Sequence, residues 1–309
     1  MKKQYNIVDR TLIVAQEDHA TVTIYTNPDE AEKRYLVGDL KIDEHTFTSA
    51  LDPDELSRLE FEPEHLALIF KRPQNYSSAE LFMFRVGSAG AFLFKDCLVV
   101  VVAEDAPLFD GVQFTRIHSP ADVILKLIAR SIIHFREHLK VISMISDELQ
   151  KEINTAMENK HLISMFTLQK SLVYYVNSIN SNGALLEKLK NNAAKIGFTT
   201  EEVEFLDDII VENSQCFKQA EIYSNILASL MDARASIVSN NLNVLMKTLN
   251  IITISIMVPT LIVSIFSMNV DLPLPMSWVS GQAHAFWIII MFAFLSAVGF
   301  MYLWRRWKG

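Results

Sequence analysis

Between Lys247 and Asp271 the chain carries no charged residue. The centre of this interval, Leu249 to Asn269, reads LNIITISIMVPTLIVSIFSMN. About 20 such residues span the hydrocarbon core of a bilayer as an α-helix. Lipid leaves only helices and closed barrels as options, because every backbone polar group must be satisfied internally. The interval therefore predicts a helical membrane protein. It is not uniformly apolar. Thr253, Met257, Thr260, Ser264 and Ser267 recur at steps of four, three, four and three, which places them on one stripe of a helix. The remaining faces are mostly Ile, Leu, Val and Phe. Lipid cannot satisfy hydroxyl groups, so the stripe faces protein or water. Two readings follow: a packing contact between membrane helices, or one stave of a pore built from several copies of the chain.

The stripe continues upstream through Asn250, Met246, Asn243, Ser239, Ser236 and Asp232. After Asp232, only Arg234 and Lys247 carry charge before Asn250. A dimeric coiled coil wants Leu or Ile at such positions, and Asn there costs stability. Repeated Asn, Ser and Met suit a lumen wide enough for water, which favours the pore. Leu249 and Met257 are apolar members that can form a constriction gating by dewetting. The rival from another class is a non-conducting, membrane-anchored interaction protein, for which a dry, Leu-filled stripe is expected.

Residues 1–118 read as a mixed α/β domain. Short runs rich in Val, Ile, Phe and Tyr predict strands at Thr11–Ala15, Ala20–Tyr25, Leu66–Phe70, Leu81–Val86, Ala91–Phe94 and Cys97–Ala103. The last two form a hairpin turning at Lys95 and Asp96. Asp43–Leu51 and Asp52–Glu60 read as helices, the second with Pro53 in its first turn, and Pro28–Lys33 as a short one. Ser119-Pro120 is a helix start with Ser as N-cap. Two long helices follow, at about 120–154 and 159–190, as an antiparallel hairpin within 119–198. Thr199 and Glu202 form a capping box. No Gly then occurs until Gly281 and no Pro until Pro259. One helix is therefore predicted from about Thr200 to Met268, on the order of 100 Å long. Its segment 199–248 is a stalk and 249–268 the first span, in which Pro259 bends the helix or is tolerated through a neighbour.

An outer loop, 269–284, and a second span, 285–304, complete the chain before the basic tail 305–309. Lys247 and the tail flank the spans, and the loop has neither Lys nor Arg. Basic residues favour the cytoplasmic side, so both termini are expected in the cytosol of a two-span protein of the cell (inner or plasma) membrane. Trp287, Trp304 and Trp307 fit interfacial belts. A net charge of −8 argues against nucleic acid as a partner. Cys97 and Cys216 form no CxxC pattern and suit a reducing cytosol. The N-terminus has no long apolar run, so no signal peptide is expected. Seven carboxylates crowd the start of the stalk, namely Glu201, Glu202, Glu204, Asp207, Asp208, Glu212 and Glu221. They form a solvated face, or lie between subunits and hold divalent cations, which favour oxygen ligands. His134 to His138 has an HxxEH zinc-protease spacing on a hairpin helix, where surface histidines explain it as well. Asn75-Tyr-Ser77 matches a glycosylation acceptor in a segment expected to be cytosolic. No nucleophile elbow or Gly-rich loop is present, so the chain is read as no enzyme, with no organic cofactor.

The segment NNLNVLMKTLNIITISIMVPTLIVSIFSMN, two C-terminal spans and the ending WRRWKG resemble the CorA family of magnesium channels. The resemblance covers the whole layout and is tightest from about Leu230 to Asn269. It implies an α+β membrane protein: a cytosolic α/β domain, a helical hairpin, and a stalk helix continuing into the first of two membrane helices. It also implies a funnel-shaped homopentamer, with coiled-coil-like stalk helices lining the pore. The family hallmark Gly-Met-Asn corresponds here to Ser267, Met268 and Asn269, the selectivity filter. Asn269 matches the asparagine whose ring contacts hydrated Mg²⁺. Asn243, Met246, Leu249, Thr253, Met257, Thr260 and Ser264 fall on pore-lining positions, and Met246, Leu249 and Met257 match the hydrophobic gate. Asp232 matches an acid of the inner funnel. Asp208 matches one carboxylate of the regulatory site that senses cytosolic Mg²⁺. Mg²⁺ is thus both cargo and regulator, with Co²⁺ or Ni²⁺ as further cargo. A zinc or other transition-metal transporter on the same scaffold is the alternative. Two departures stand out. Ser267 puts a Cβ where the family has bare backbone. The loop has Leu274-Pro275-Met276 in place of Met-Pro-Glu, leaving Asp271 as its carboxylate.

Overall fold

The computed structural model describes residues 1–15, 20–76, 83–105, 107–155, 159–268 and 282–307. The chain divides into a unit from Met1 to Met231 and a second from Asp232 to Gly309.

The first unit is built on a seven-stranded sheet. Its strands are β1 (Lys2–Val8), β2 (Thr11–Val14), β3 (Val22–Thr26), β4 (Arg58–Phe61), β5 (Leu66–Pro73), β6 (Val86–Leu93) and β7 (Leu98–Val102). They run in the order β2-β1-β3-β7-β6-β5-β4. Only the central β3–β7 pair is parallel. Strand β7 is buried along its whole length, and its side chains alternate between two cores. Val99 and Val101 join Tyr25, Leu36, Phe47 and Ala50 under α2 (Glu44–Leu51). Leu98, Val100 and Val102 join the larger core beneath the long helices α3 (Pro120–Thr155) and α4 (Asn159–Asn191).

The local chemistry follows the sequence at most element starts. Asp29 caps α1 (Glu30–Arg34) with a complete capping box, and α1 passes into a π-helical turn at Tyr35–Asp39. The Asp43 carboxylate accepts from the Thr46 N–H at the start of α2. Ser119 Oγ accepts from the Asp122 N–H at 3.0 Å in the first turn of α3. After the short α5 (Ala193–Ile196), Gly197 takes a left-handed φ of 87° that stops the helix. Thr199 and Glu202 then open α6 (Thr200–Phe266) with the expected box. In this unit α6 buries Leu206, Ile209, Asn213, Cys216, Ala220 and Leu227, one face at helical spacing.

Three strand readings change. The expected helix Asp52–Glu60 does not form. Asp52 is extended, its carboxylate accepts from the Asp54 N–H in a turn, and Arg58–Phe61 becomes β4. The open edge of β5 supplies what propensity lacked, pairing Leu59 with Leu68. The run Lys2–Val8 forms β1 although only Tyr5, Ile7 and Val8 are strongly strand-forming. The two short runs expected at Leu81–Val86 and Ala91–Phe94 are replaced by one strand, β6, through Gly87 and Gly90; Leu81 and Phe82 lie outside the described residues. Gly90 is required there, because a Cβ would lie 2.5 Å from the Ala50 Cβ of α2. The β6–β7 hairpin turns as expected, closed by the Phe94 N–H on the Cys97 carbonyl.

Sheet and helices are keyed together by Asn182 of α4, which is fully buried. Its amide pairs with both backbone groups of Lys71, each at 2.8 Å, in the way a neighbouring strand would.

The second unit holds the end of α6 and the helix α7 (Gln282–Trp307). Among the described residues α6 is the one helix long and apolar enough to cross a membrane, with a window of mean hydropathy 2.2. Phe286–Tyr302 of α7 is a shorter apolar stretch.

Candidate ion pathway

In the second unit the helix α6 has two unlike sides. Ile251, Ser255, Val258, Pro259 and Ile262 are half-buried. At 3.6 residues per turn these positions form one stripe. On α7, Ala293 is buried and Ile289, Ser296, Ala297, Phe300 and Trp304 are half-buried, again one stripe. Thr253, Met257, Thr260 and Ser264 lie on the opposite side of α6, rotated by about half a turn from its half-buried line. All four are exposed, as are Asp232, Asn243, Met246 and Leu249. Met246 and Leu249 are each 54% exposed and Met257 62%, so nothing among the described residues covers the expected gate. Every residue from 241 to 250 is exposed. Leu242, Val244 and Leu245 thus add unpartnered apolar surface, of the kind that marks contact with another molecule.

The hydroxyls of the stripe are oriented by the helix itself. Thr253 Oγ1 donates to the Leu249 carbonyl at 2.9 Å and Thr260 Oγ1 to the Ile256 carbonyl at 2.7 Å. Such back-bonding satisfies the donor locally. Ser255, on the half-buried side, behaves differently. Its Oγ is shielded and has no hydrogen-bond partner among the described residues. Pro259 four residues on lacks the N–H that would bond the Ser255 carbonyl. Helix α6 nevertheless continues through Pro259 to Phe266. Ser255 lies off the polar stripe, and its sequence signal is the proline four residues on.

Helix α6 ends in a tightened turn. The Ser267 N–H is shared between the carbonyls of Val263 and Ser264, and the Met268 N–H reaches the Ile265 carbonyl. Ser267 Oγ donates to the Ser264 carbonyl at 2.9 Å. Positive φ among non-glycine residues occurs at Asp9, Arg10, Asn27 and Lys41, and Ser267 is not one of them. The Cβ that replaces glycine therefore costs no backbone strain. Asn269 and the loop with Asp271 lie outside the described residues.

The acidic start of α6 sorts itself by partner. Asp207 pairs with Lys190, Glu212 with Arg136 and Glu221 with Lys218. Glu202 is buried in its cap. Glu201, Glu204 and Asp208 stand exposed on one line of the helix, without ion-pair partners among the described residues. No group of three or more His, Cys, Asp or Glu gathers at metal-binding distance among the described residues. The HxxEH spacing accordingly builds no metal centre. His138 is buried, with Nδ1 2.6 Å from the Tyr175 hydroxyl, and burial pushes its pKa down to about 3. Burial, then the charge of Arg130, takes His134 down to about 4. Cys97 and Cys216 are free thiols, as expected.

A family model described as "CorA-like Mg2+ transporter protein" matches residues 23–306. The cobalt/magnesium transport protein CorA of Methanocaldococcus jannaschii is 22% identical over 304 residues, covering 95% of this chain and 92% of that protein. The complete structure of the same organism's CorA magnesium transporter superposes with a TM-score of 0.78 at 20% identity, over 99% of this chain and 96% of that one. The structure of the full-length CmaX protein gives a TM-score of 0.69 at 13% identity, over 99% of this chain and 97% of that one. At these identities the solved structures speak to fold, and it is the same fold from end to end.

Proposed function

We infer the activity from the family: the chain belongs to the CorA-like Mg2+ transporter proteins, and it is a divalent-cation transporter of the membrane. Within that activity we propose passive Mg²⁺ influx through a pore on the symmetry axis of a homopentamer, lined by the exposed stripe of α6. The carrying observation is that this stripe is uncovered and lies opposite the half-buried side of α6. A stripe used for packing within the chain would be the shaded one. The unpartnered apolar residues at 241–250 call for neighbouring copies around it.

The chemistry suits a hydrated hard cation. Mg²⁺ sheds water reluctantly, so oxygen acceptors that hold its water shell recognise it without stripping it. Asn243, Thr253, Thr260 and Ser264 supply such oxygens, and Asn269, three residues after Phe266 in the sequence, adds an amide. No imidazole or thiolate stands on the stripe to favour zinc or softer metals. The membrane potential supplies the pull, about 2.3 kcal/mol per charge per 100 mV and roughly twice that for a divalent ion. Met246, Leu249 and Met257 close the column by dewetting. Cytosolic Mg²⁺ at Asp208, between subunits, holds the closed state. Helices α6 and α7 serve as the two spans, with both termini in the cytosol.

The test is flux into liposomes containing the purified full-length protein, with Mg²⁺, Co²⁺, Ni²⁺ and Zn²⁺ supplied separately under an imposed potential. Potential-driven Mg²⁺ uptake is expected to lead. Zn²⁺ uptake in its place, or no uptake of any ion, overturns the assignment.

A further inference from the structure

We propose that Arg72 and Arg130 line a pocket in the first unit that binds a phosphate-type oxyanion. Phe70 and Arg72 are two residues apart on β5 and so share a face of the sheet. That face lies under α3, which contributes Leu127, Arg130, Ser131 and His134 at steps of three, one and three, a single helical line. Asn75, Pro107 and Leu108 close the sides. The cavity measures about 90 Å³. One water needs roughly 10–15 Å³ on that measure, so the space holds several waters or one tetrahedral anion.

The electrostatics ask for a negative occupant. The Arg72 guanidinium makes no hydrogen bond or ion pair among the described residues. Burial holds its pKa below the usual value, and Glu104 opposes this only from a distance. A half-buried guanidinium with no ion pair of its own among the described residues is costly. Arg130 meets Glu137 at 3.5 Å, but that carboxylate is 54% exposed and does not line the pocket. His134, held neutral by burial and by the two arginines, offers one ring N–H. Asn75 offers an amide. Ser131 Oγ is already committed to the Lys71 carbonyl at 2.7 Å, which pins α3 to β5 beside Arg72. Two planar guanidiniums, each with a fork of donors, match the oxygens of a phosphate. The same two charges repel a metal ion, which is the other cargo the HxxEH spacing suggests. The site lies in the first unit and stands independently of the ion pathway.

Equilibrium dialysis of the full-length protein in detergent tests this, with radiolabelled inorganic phosphate in Mg²⁺-free chloride buffer of fixed ionic strength. Saturable binding is expected, displaced by sulfate and not by added chloride. Arg72→Gln should weaken it about tenfold or more. Arg72→Lys, which keeps the charge and loses the fork, should weaken it less. Arg136→Gln, at the exposed pair with Glu212, should leave it unchanged. ADP as competitor separates two sources of the same chemistry: stronger displacement than by phosphate assigns a nucleotide's terminal phosphate, and equal or weaker displacement assigns the free ion. Non-saturable uptake, or equal affinity in wild type and the folded Arg72 variants, overturns the proposal.

Discussion

Ser119 Oγ donates a 2.6 Å hydrogen bond to Glu202 Oε1, joining the first turn of α3 to the first turn of α6 across 83 residues of sequence. The other oxygen of the same carboxylate accepts from the Thr199 N–H at 2.8 Å. One buried acid thus completes two helix N-termini. Removing it as Glu202→Ala should cost about 2 kcal/mol, since each cap is worth about 1 kcal/mol. Glu202→Gln should lose roughly half as much. Thermal unfolding of the purified protein reads both; equal losses for the two variants would mean that the second oxygen contributes nothing.

Asn269→Ala is expected to abolish selective Mg²⁺ uptake into liposomes while the oligomer runs at wild-type size in gel filtration. Uptake at the wild-type rate would remove Asn269 from the filter.

The hydrophobic constriction predicts a gain of function. Met257→Ser or Leu249→Ser should raise resting Mg²⁺ leak on the order of tenfold, equivalent to ~1.4 kcal/mol off the barrier. Val258→Ser, on the half-buried side of α6, should lower stability and leave the leak unchanged. The reverse pattern would place the pathway on the other side of α6.

Asp208→Ala should weaken closure by internal Mg²⁺. Limited proteolysis reports it: Mg²⁺ should protect the wild-type stalk, and the variant should require more Mg²⁺ for the same protection. Identical titrations would exclude Asp208 as a sensor.

His138 gives the first unit an acid-sensitive core. Its pKa falls from 6.5 to about 3 on folding, so the unfolded chain binds the proton first as pH drops. Stability is therefore full above pH 6.5 and declines toward pH 3, by up to ~1.4 kcal/mol per pH unit for this group. The melting temperature should fall between pH 7 and pH 5, and His138→Gln should flatten the slope. A steeper slope in that variant would contradict the assignment.

The long helices were legible because their signals are local. Ser119-Pro120, the Thr199–Glu202 box and the absence of Gly after Gly197 fixed α3 and α6 to within a few residues. The exposed stripe was legible because its period is that of the helix. The sheet was harder where partners decide. Arg58–Phe61 resembles a helix until β5 offers it an edge, and β6 crosses Gly90 only because Ala50 presses on it from α2. The parallel meeting of Val22–Thr26 with Leu98–Val102 has no local signature. Nor does the approach of Arg72 to Arg130, 58 residues apart in the sequence and joined by the packing of a helix on a sheet.

The threonines of α6 also bear on the sign of the ion that the proposed pore would favour. With the protons of Thr253 and Thr260 committed inward to carbonyls, the oxygens turn only lone pairs outward. In the proposed pore, chloride passing Thr253 and Thr260 would meet the negative ends of hydroxyl dipoles at both levels and gain nothing for the water it sheds. That disfavour would rest on hydroxyl geometry that does not titrate, and would persist in acid that neutralises carboxylates.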